Sequence, residues 1–319
     1  MVTTTFRYLN TRAAFASFMK KSAAVIAVSV FGLLGPSHAW AKDFSEILDI
    51  AYYQGDEFSE EKHRLDLVIP EGQAVVATML WIHGGAWAFG DRKDDLELAR
   101  AFAREGVAVA VMSYRLSRGD WRGDEFPSTG VQHPAHINDV ARAFAWVHEN
   151  ADNYGLENEK LIVSGFSAGG HLSALLAMDD QHLGAQGLSP SDIRAAIPVA
   201  GGYDLEAYYL AIEEGLGEDT AIGHVLGVFG PRESLPDASP LSYLPEASVP
   251  MLVLTEGQTA DYTRIFDDAV AESGKTDLIR FSYYNDETHA SLLASLSLDE
   301  SPARREMLEF IESAAETEN

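Results

Sequence analysis

The sequence predicts an α/β fold in which a mostly parallel central sheet carries helices on both faces. Seven short apolar or alternating runs along the 319-residue chain have the length and pattern of strands. Runs with helical spacing lie between them, and glycine or proline marks several boundaries. Strands that alternate with helices form parallel sheets, because each crossover helix returns the chain to the same edge.

The strand candidates follow one another along most of the chain. They are the runs 64–69, 77–83, 107–114, 160–165, 195–201, 250–257 and 278–284. The clearest helix candidate is 136–150, where Ile137, Val140, Phe144 and Val147 share one face. The run 261–270 repeats this spacing, and a last helix opens at 301–302.

Two segments depart from the alternation of strands and helices. Residues 117–132 form a polar loop, and residues 205–244 are helical in part but interrupted by glycine and proline. Ligands of parallel α/β sheets bind at the carboxyl ends of the strands, and both segments follow strands. We therefore expect them to overhang that edge as a small cap.

Residues 1–41 have the composition of a secretory signal peptide. Basic residues precede an apolar run at 22–35, small residues follow it, and no acid occurs before Asp43. We expect cleavage after Ala41, with Ala39 as the alternative, and export of a catalytic domain spanning 42–319 to the periplasm or the exterior. An uncleaved membrane anchor is the other interpretation, but the apolar run is short for a bilayer span.

Charge is the outlying feature of the composition. The chain has 49 acidic and 23 basic residues and a formal net charge of −26. Such a surface repels nucleic acid and anionic membranes, so we expect neither as a partner. Surface solvation explains the charge, and adaptation to a saline habitat is a second interpretation. The chain has no cysteine, which excludes disulfides and thiol catalysis.

One serine is enclosed by glycines between a strand-like and a helix-like run. The stretch KLIVSGFSAGGHLSALLAM, residues 160–178, contains G-x-S-x-G centred on Ser167. This pattern, after a strand and before a helix, is typical of a nucleophile elbow, in which a sharp turn lifts the serine hydroxyl above the sheet. The next amide, of Ala168, opens the helix and can donate to an oxyanion.

A second motif supports this interpretation. His83, Gly84 and Gly85 directly follow a strand candidate, upstream of Ser167. Acyl transfer needs donors aimed at the developing oxyanion, and unhindered glycine amides supply them. The two motifs in this order predict an oxyanion hole formed by the amides of Gly84, Gly85 and Ala168.

These motifs carry a family resemblance that covers residues from about 64 to the C-terminal helix. The stretches HGGAW, SYRL, FP and residues 145–178 resemble the α/β-hydrolase carboxylesterases related to hormone-sensitive lipase. The likeness is greater to the branch with feruloyl/acetyl esterase-like enzymes and kynurenine formamidase. It implies an α/β-hydrolase fold with a small cap. The sequence departs from the family in Ala86, where a third glycine is common, and in a shorter cap segment.

A serine nucleophile needs a base and an acid, and this fold uses the chain order serine, acid, histidine. Four histidines follow Ser167, at positions 171, 182, 224 and 289. Only His289 follows the last strand candidate, where a base can reach back to the elbow. We therefore expect His289 to be the general base, and His171 to pack or cap in the helix after the elbow.

The acid should follow the strand candidate at 250–257. Asp261 resembles the family's G-x-x-D pattern with one residue inserted, and it is the predicted acid. Glu256, which is nearer the end of the strand, is the alternative. Either carboxylate would orient the imidazole and stabilise its charged form.

Other polar and aromatic residues have less specific interpretations. His133, His136 and Asp139 have near-metal spacing, but no further ligand or H-E-x-x-H motif accompanies them, so we predict packing or capping and no metal. We expect Trp87 and Phe166 to shape the substrate pocket, although core packing is equally compatible with them. The neighbouring residues 208 and 209 are tyrosines of the cap segment that could meet the substrate.

Together these features predict a secreted serine hydrolase of small-molecule carboxylic esters that needs no cofactor. An arylformamidase would use the same triad on an N-formyl aromatic amide. A serine peptidase of this fold, or a binding module without catalysis, are further alternatives. The sequence leaves the acyl and alcohol groups and the oligomeric state open.

Overall fold

A computed structural model describes residues 44–117 and 130–316. The core of the structure is one eight-stranded sheet, ordered β1-β2-β4-β3-β5-β6-β7-β8. Its strands are β1 (Phe44–Ala51), β2 (Arg64–Pro70), β3 (Ala77–Ile82), β4 (Val107–Met112), β5 (Leu161–Phe166), β6 (Ala195–Val199), β7 (Met251–Glu256) and β8 (Ile279–Tyr284). Pairing is antiparallel from β1 to β2 and from β2 to β4, and parallel through the rest of the sheet. The predicted mostly parallel α/β architecture is confirmed.

Helices cover both faces of this sheet. They are α1 (Leu96–Arg104), α2 (Ala135–Tyr154), α3 (Ala168–Met178), α4 (Asp180–Gly184), α5 (Leu205–Leu216), α6 (Glu218–Ala221), α7 (Gly227–Phe229), α8 (Ala260–Ser273), α9 (His289–Ser295) and α10 (Pro302–Glu316). One π-helical turn, Ile222–Leu226, joins α6 to α7. Shorter 3₁₀ turns occupy Arg92–Asp95, Pro190–Asp192, Arg232–Ser234, Pro236–Ala238 and Pro240–Glu246.

The two faces of the sheet carry separate hydrophobic clusters. In β3 the side chains alternate: Leu80 and Ile82 pack with α2, α3, α8 and the 205–244 segment, whereas Met79 and Trp81 pack with α1 and α10. This alternation follows from the period of two in a strand. Because both faces of the central strands are covered, these strands are buried along their whole length and predominantly apolar, as parallel strands generally are.

The expectations for two segments lie partly outside the described residues. The signal-peptide prediction falls on 1–41, and most of the predicted loop at 117–132 falls on 118–129, including the FP stretch. Within the described part of the chain, none of the helices has the length and apolar character needed to cross a membrane.

Candidate active site

Ser167 occupies the sharp turn between β5 and α3. Its backbone has φ 56° and ψ −113°, a region that few non-glycine residues adopt. The Ser167 amide donates to the carbonyl of Val199 on β6 at 2.8 Å, which holds the turn against the neighbouring strand. Such strain persists only where surrounding structure enforces it, and it is typical of functional sites. The side chain remains partly accessible to solvent.

The glycines around Ser167 are required by close backbone approach. A Cβ at Gly165 would stand 2.6 Å from the carbonyl oxygens of both Ile82 and Gly169. A Cβ at Gly169 would collide with the same Ile82 carbonyl. Strand β3, the elbow and α3 can therefore meet only without side chains at these two positions.

His289 and Glu256 form a hydrogen-bonded pair beside the elbow. The Nδ1 of His289 lies 3.0 Å from Oε1 of Glu256, whose side chain is fully buried. The His289 ring also packs on Phe166, with the ring centroids 4.5 Å apart, next in sequence to Ser167. An Nδ1–H donated to the carboxylate leaves Nε2 as the acceptor, the tautomer that a general base needs.

Local structure fixes both members of this pair. Glu256 is the last residue of β7, and its second oxygen accepts the backbone amide of Gln258. His289 is the first residue of α9, and its backbone amide donates to Oε1 of Gln258 at 2.9 Å. The turn after β7 therefore orients both the carboxylate and the imidazole.

The structure does not place Asp261, the acid favoured by the sequence, in this pair. Helix α8 begins at Ala260, so Asp261 lies in its first turn and is exposed to solvent. Glu256, the alternative at the end of the strand, holds the position beside His289 instead. Asp261 is displaced because the turn after β7 is short and helix α8 already begins at Ala260.

The loop that follows β3 brings Gly84 against the elbow. A Cβ at Gly84 would lie 3.4 Å from Cβ of Ser167 and 3.0 Å from the carbonyl oxygen of Phe166. Gly85 has φ 108°, and its carbonyl accepts the amide of Phe89 at 2.8 Å. A Cβ at Gly85 would collide with the Phe89 carbonyl, so this tight turn requires glycine.

His83 stabilises this loop through a hydrogen bond and a ring contact. Its Nδ1 donates to the Gly84 carbonyl at 2.6 Å, and its ring stacks on Tyr114 with centroids 4.4 Å apart. Burial lowers the pKa of His83 to about 4, so the ring is neutral near pH 7. Ala168, the third predicted oxyanion residue, is the first residue of α3, where amides have no carbonyl partner within the helix.

The two aromatic residues predicted for the pocket pack against different residues. Phe166 is buried and packs against His289. Trp87 is buried against Phe229 of the 205–244 segment, with ring centroids 4.8 Å apart, and its indole N–H donates to Nδ1 of His171 at 3.2 Å. Trp87 therefore faces the segment predicted to form a cap.

Tyr208, on α5 of the cap segment, also turns toward Trp87, with ring centroids 6.1 Å apart. Its hydroxyl is 2.7 Å from Nε2 of His224, whose pKa burial lowers to about 4. Tyr209 instead packs beneath the guanidinium of Arg232. Sequence inspection could not single out His171 or His224 for these roles, because their partners come from distant segments.

His136 and Asp139, both on α2, have separate partners. His136 Nε2 lies 2.9 Å from the hydroxyl of Ser117. Asp139 is bound by Arg115 at 2.8 Å and lies 3.0 Å from Nε2 of His63. Among residues 44–117 and 130–316, no group of three or more potential ligands could hold a metal ion.

The mostly parallel sheet with a serine at a strained strand-to-helix turn defines the class: the chain has an α/β-hydrolase fold. It belongs to the BD-FAE family, whose model matches residues 65–264. The resemblance to carboxylesterases of this fold is thereby confirmed.

Curated relatives support the same grouping. The chain is 31% identical over 227 residues to a probable carboxylic ester hydrolase, LipM, of Mycobacterium tuberculosis, covering 67% of this chain and 48% of the relative. It is 27% identical over 259 residues to a probable isoprenylcysteine alpha-carbonyl methylesterase, ICMEL1, of Oryza sativa subsp. japonica, covering 73% and 55%. The chain thus spans about half the length of these relatives.

Solved structures share the fold. Esterase B from Lactobacillus rhamnosis superposes with a TM-score of 0.68 at 18% identity, covering 86% of this chain and 87% of that chain. An esterase from the archaeon Pyrobaculum calidifontis gives a TM-score of 0.62 at 23% identity, covering 79% of each chain.

Proposed function

We propose that this protein hydrolyses small carboxylic esters through an acyl-enzyme intermediate. Ser167 is the nucleophile, His289 the general base and Glu256, in place of the Asp261 favoured by the sequence, the acid. The amides of Gly84, Gly85 and Ala168 bind the oxyanion. The observation that carries this proposal is the buried Glu256 carboxylate 3.0 Å from Nδ1 of His289, beside the strained Ser167 turn.

The reaction follows from the chemistry of these groups. The Ser167 hydroxyl attacks the acyl carbon while Nε2 of His289 accepts its proton, and Glu256 stabilises the resulting imidazolium. The backbone amides of Gly84, Gly85 and Ala168 stabilise the negative charge that develops on the carbonyl oxygen. His289 then protonates the departing alkoxide. Water, activated by His289, then attacks the acyl-enzyme, which releases the carboxylic acid product and regenerates Ser167.

Several independent observations support an ester as the substrate. LipM and ICMEL1 are named as ester hydrolases, and the structural neighbours are named as esterases. Nothing in the proposed steps requires a metal or a cofactor.

Hydrolysis of p-nitrophenyl acetate tests the proposal. The wild-type protein should release p-nitrophenol, and Ser167→Ala should lower kcat by on the order of 10⁶. We expect the variant to keep the fold, and thermal melting of both proteins is the control. Turnover by Ser167→Ala at the wild-type rate would refute the assignment of the nucleophile.

The arylformamidase alternative uses the same groups and is separated by substrate. Rates on N-formylkynurenine should be far below those on simple aryl esters if the protein is an esterase. A higher kcat/KM for the formamide would reverse this assignment.

We also propose that the protein is exported, on the sequence of residues 1–41. Expression of the full chain followed by cell fractionation and N-terminal sequencing provides the test. The mature protein should lie outside the cytoplasm and begin at Lys42, or at Trp40 if Ala39 precedes the cleavage site. Full-length protein retained in the membrane fraction would support the anchor interpretation instead.

A further inference from the structure

His171 lies at the junction of three parts of the proposed active site. It belongs to α3, one helical turn after Ser167, and it is fully buried. Its Nδ1 lies 3.2 Å from Nε1 of Trp87, and its Nε2 lies 2.8 Å from the carbonyl oxygen of Ala238. One imidazole therefore links the elbow helix, the loop after β3 and the cap segment.

The chemistry of the partners fixes the tautomer of His171. The indole N–H of Trp87 can only donate, so Nδ1 accepts. Ala238 offers a carbonyl, so Nε2 carries the proton and donates. A neutral imidazole has one donor and one acceptor, and both are used here. Burial lowers the pKa of His171 to about 3, so the ring stays neutral over the range in which esterases are assayed.

Trp87 is the residue through which His171 reaches the loop. Three consecutive residues, Gly85, Ala86 and Trp87, have φ of 108°, 54° and 57°. Non-glycine residues keep such conformations only where neighbouring structure holds them. The Trp87 carbonyl accepts the amide of Ser117 at 2.8 Å, and the indole is held by His171. These two bonds secure the end of the turn that begins at Gly84.

The opposite bond of His171 secures the cap. Ala238 ends the 3₁₀ turn Pro236–Ala238, and Phe229 of the same segment contacts both the His171 and Trp87 rings. Displacement of the cap segment would therefore shift the Trp87 indole through His171 and Phe229. This arrangement makes the loop geometry depend on a contact remote from the reacting atoms.

We propose that His171 is a positioning residue for the ester hydrolysis proposed above: it fixes the Trp87 indole and thereby the Gly84 and Gly85 amides relative to Ser167. The inference rests on that proposed function. The donors matter most in the transition state, so disturbance of the loop should lower kcat more than it raises KM.

Two substitutions separate the bonds of His171. His171→Gln can keep an amide N–H near the Nε2 position for Ala238 but loses the acceptor for Trp87. His171→Asn can keep an oxygen near the Nδ1 position for Trp87 but loses the donor to Ala238. We expect His171→Gln to lower kcat for p-nitrophenyl acetate by about 10- to 100-fold, because small misplacements of catalytic groups have effects of this size. KM should change less than kcat, and His171→Asn should retain more of the wild-type kcat than His171→Gln.

Trp87→Phe tests the same bond from its other end. If the bond acts through the loop, Trp87→Phe should lower kcat comparably, and the double variant with His171→Gln should be no slower than the worse single variant, since residues that act as a unit are non-additive. Thermal melting identifies variants that fail to fold. If His171→Gln does not fold, the comparison of Trp87→Phe with His171→Asn replaces it, with Trp87→Phe expected to be the slower.

The result that would overturn the inference is a folded His171→Gln or Trp87→Phe protein with wild-type kcat, or losses that multiply in the double variant. Ser167→Ala is measured in parallel. An inactive Ser167→Ala protein beside fully active His171 variants removes only the positioning role. An active Ser167→Ala protein removes the proposed function itself.

Discussion

Glu256→Gln is the substitution that most sharply separates the two candidate acids. In the wild-type structure one oxygen of Glu256 faces Nδ1 of His289 at 3.0 Å, and the other accepts the amide of Gln258. A glutamine has only one oxygen for these two donors. If that oxygen stays with Gln258, the NH₂ group faces Nδ1 and forces the proton onto Nε2, which can then no longer accept the proton of Ser167.

The expected effect follows from this change of tautomer. The corresponding acid-to-amide change in a serine–histidine–acid triad lowers kcat by about 10⁴, or about 5 kcal/mol in activation free energy. Because Glu256 is fully buried, no solvent molecule is expected to substitute for the lost charge. Glu256→Gln should therefore fold, bind substrate and turn over very slowly.

Asp261→Asn is the matched control. Its side chain is exposed in the first turn of α8, where a neutral amide is tolerated. Its kcat should stay within about twofold of wild type, as for most surface substitutions. The assay is kcat and KM on p-nitrophenyl acetate for the two variants, with melting temperatures recorded. Near wild-type turnover by Glu256→Gln together with a large loss in Asp261→Asn would refute the assignment of Glu256.

Three further predictions concern the loop, a buried histidine and the surface charge. Gly84→Ala places a methyl 3.4 Å from Cβ of Ser167 and 3.0 Å from the Phe166 carbonyl, so kcat should fall by about 10² to 10³ with a smaller change in KM; an unchanged kcat would exclude Gly84 from the oxyanion hole. Burial lowers the pKa of His136 to about 3, whereas the unfolded chain binds this proton near pH 6.5. The stabilisation by neutral, buried His136 is therefore complete above about pH 6.5 and is lost as the pH falls toward 3. His136→Gln, which keeps an N–H for Ser117, should flatten the dependence of unfolding free energy on pH below 6.5 by up to about 1.4 kcal/mol per pH unit, measured by urea denaturation; an unchanged slope would contradict the neutral state of His136. The 49 acidic residues outnumber the 23 basic ones and repel one another, and added sodium chloride screens this repulsion, so the melting temperature should rise with salt. A fall in the melting temperature would show that self-repulsion does not limit stability.

The sequence predicted the central strands and the sharp turn at Ser167 because these features are local. The run 160–178 contains the strand, the glycines and the start of α3 in one stretch. His289 could be selected from chain order alone. The seven predicted strands all occur in the structure, with ends that differ by one or two residues.

Strand β1 was not predicted, and its pattern explains why. Its pairing with β2 is interrupted between Ile47 and Ile50, and Asp49 has φ 61°. The irregularity breaks the alternation of side chains that identifies a strand. Ile47 and Leu48 are both exposed, so no single buried face appears in the sequence.

The pairing of Glu256 with His289 and the contacts of the cap segment required tertiary information. Choosing between Glu256 and Asp261 depended on the residue at which α8 begins, and helix ends are the least certain feature of a sequence-based assignment. The bond from Trp87 to His171 spans 84 positions, and no local pattern encodes it.

Covalent labelling of the nucleophile tests the arrangement of Ser167, His289 and Glu256 most directly. The wild-type protein, His289→Ala and Glu256→Gln are each incubated with a p-nitrophenyl alkylphosphonate, and the adduct is located by peptide mass spectrometry. We expect one phosphonyl group per wild-type chain, attached to Ser167, and loss of esterase activity at the same rate as labelling. Both variants should be labelled much more slowly. Labelling at another residue, or equal labelling rates in all three proteins, would contradict the proposed triad.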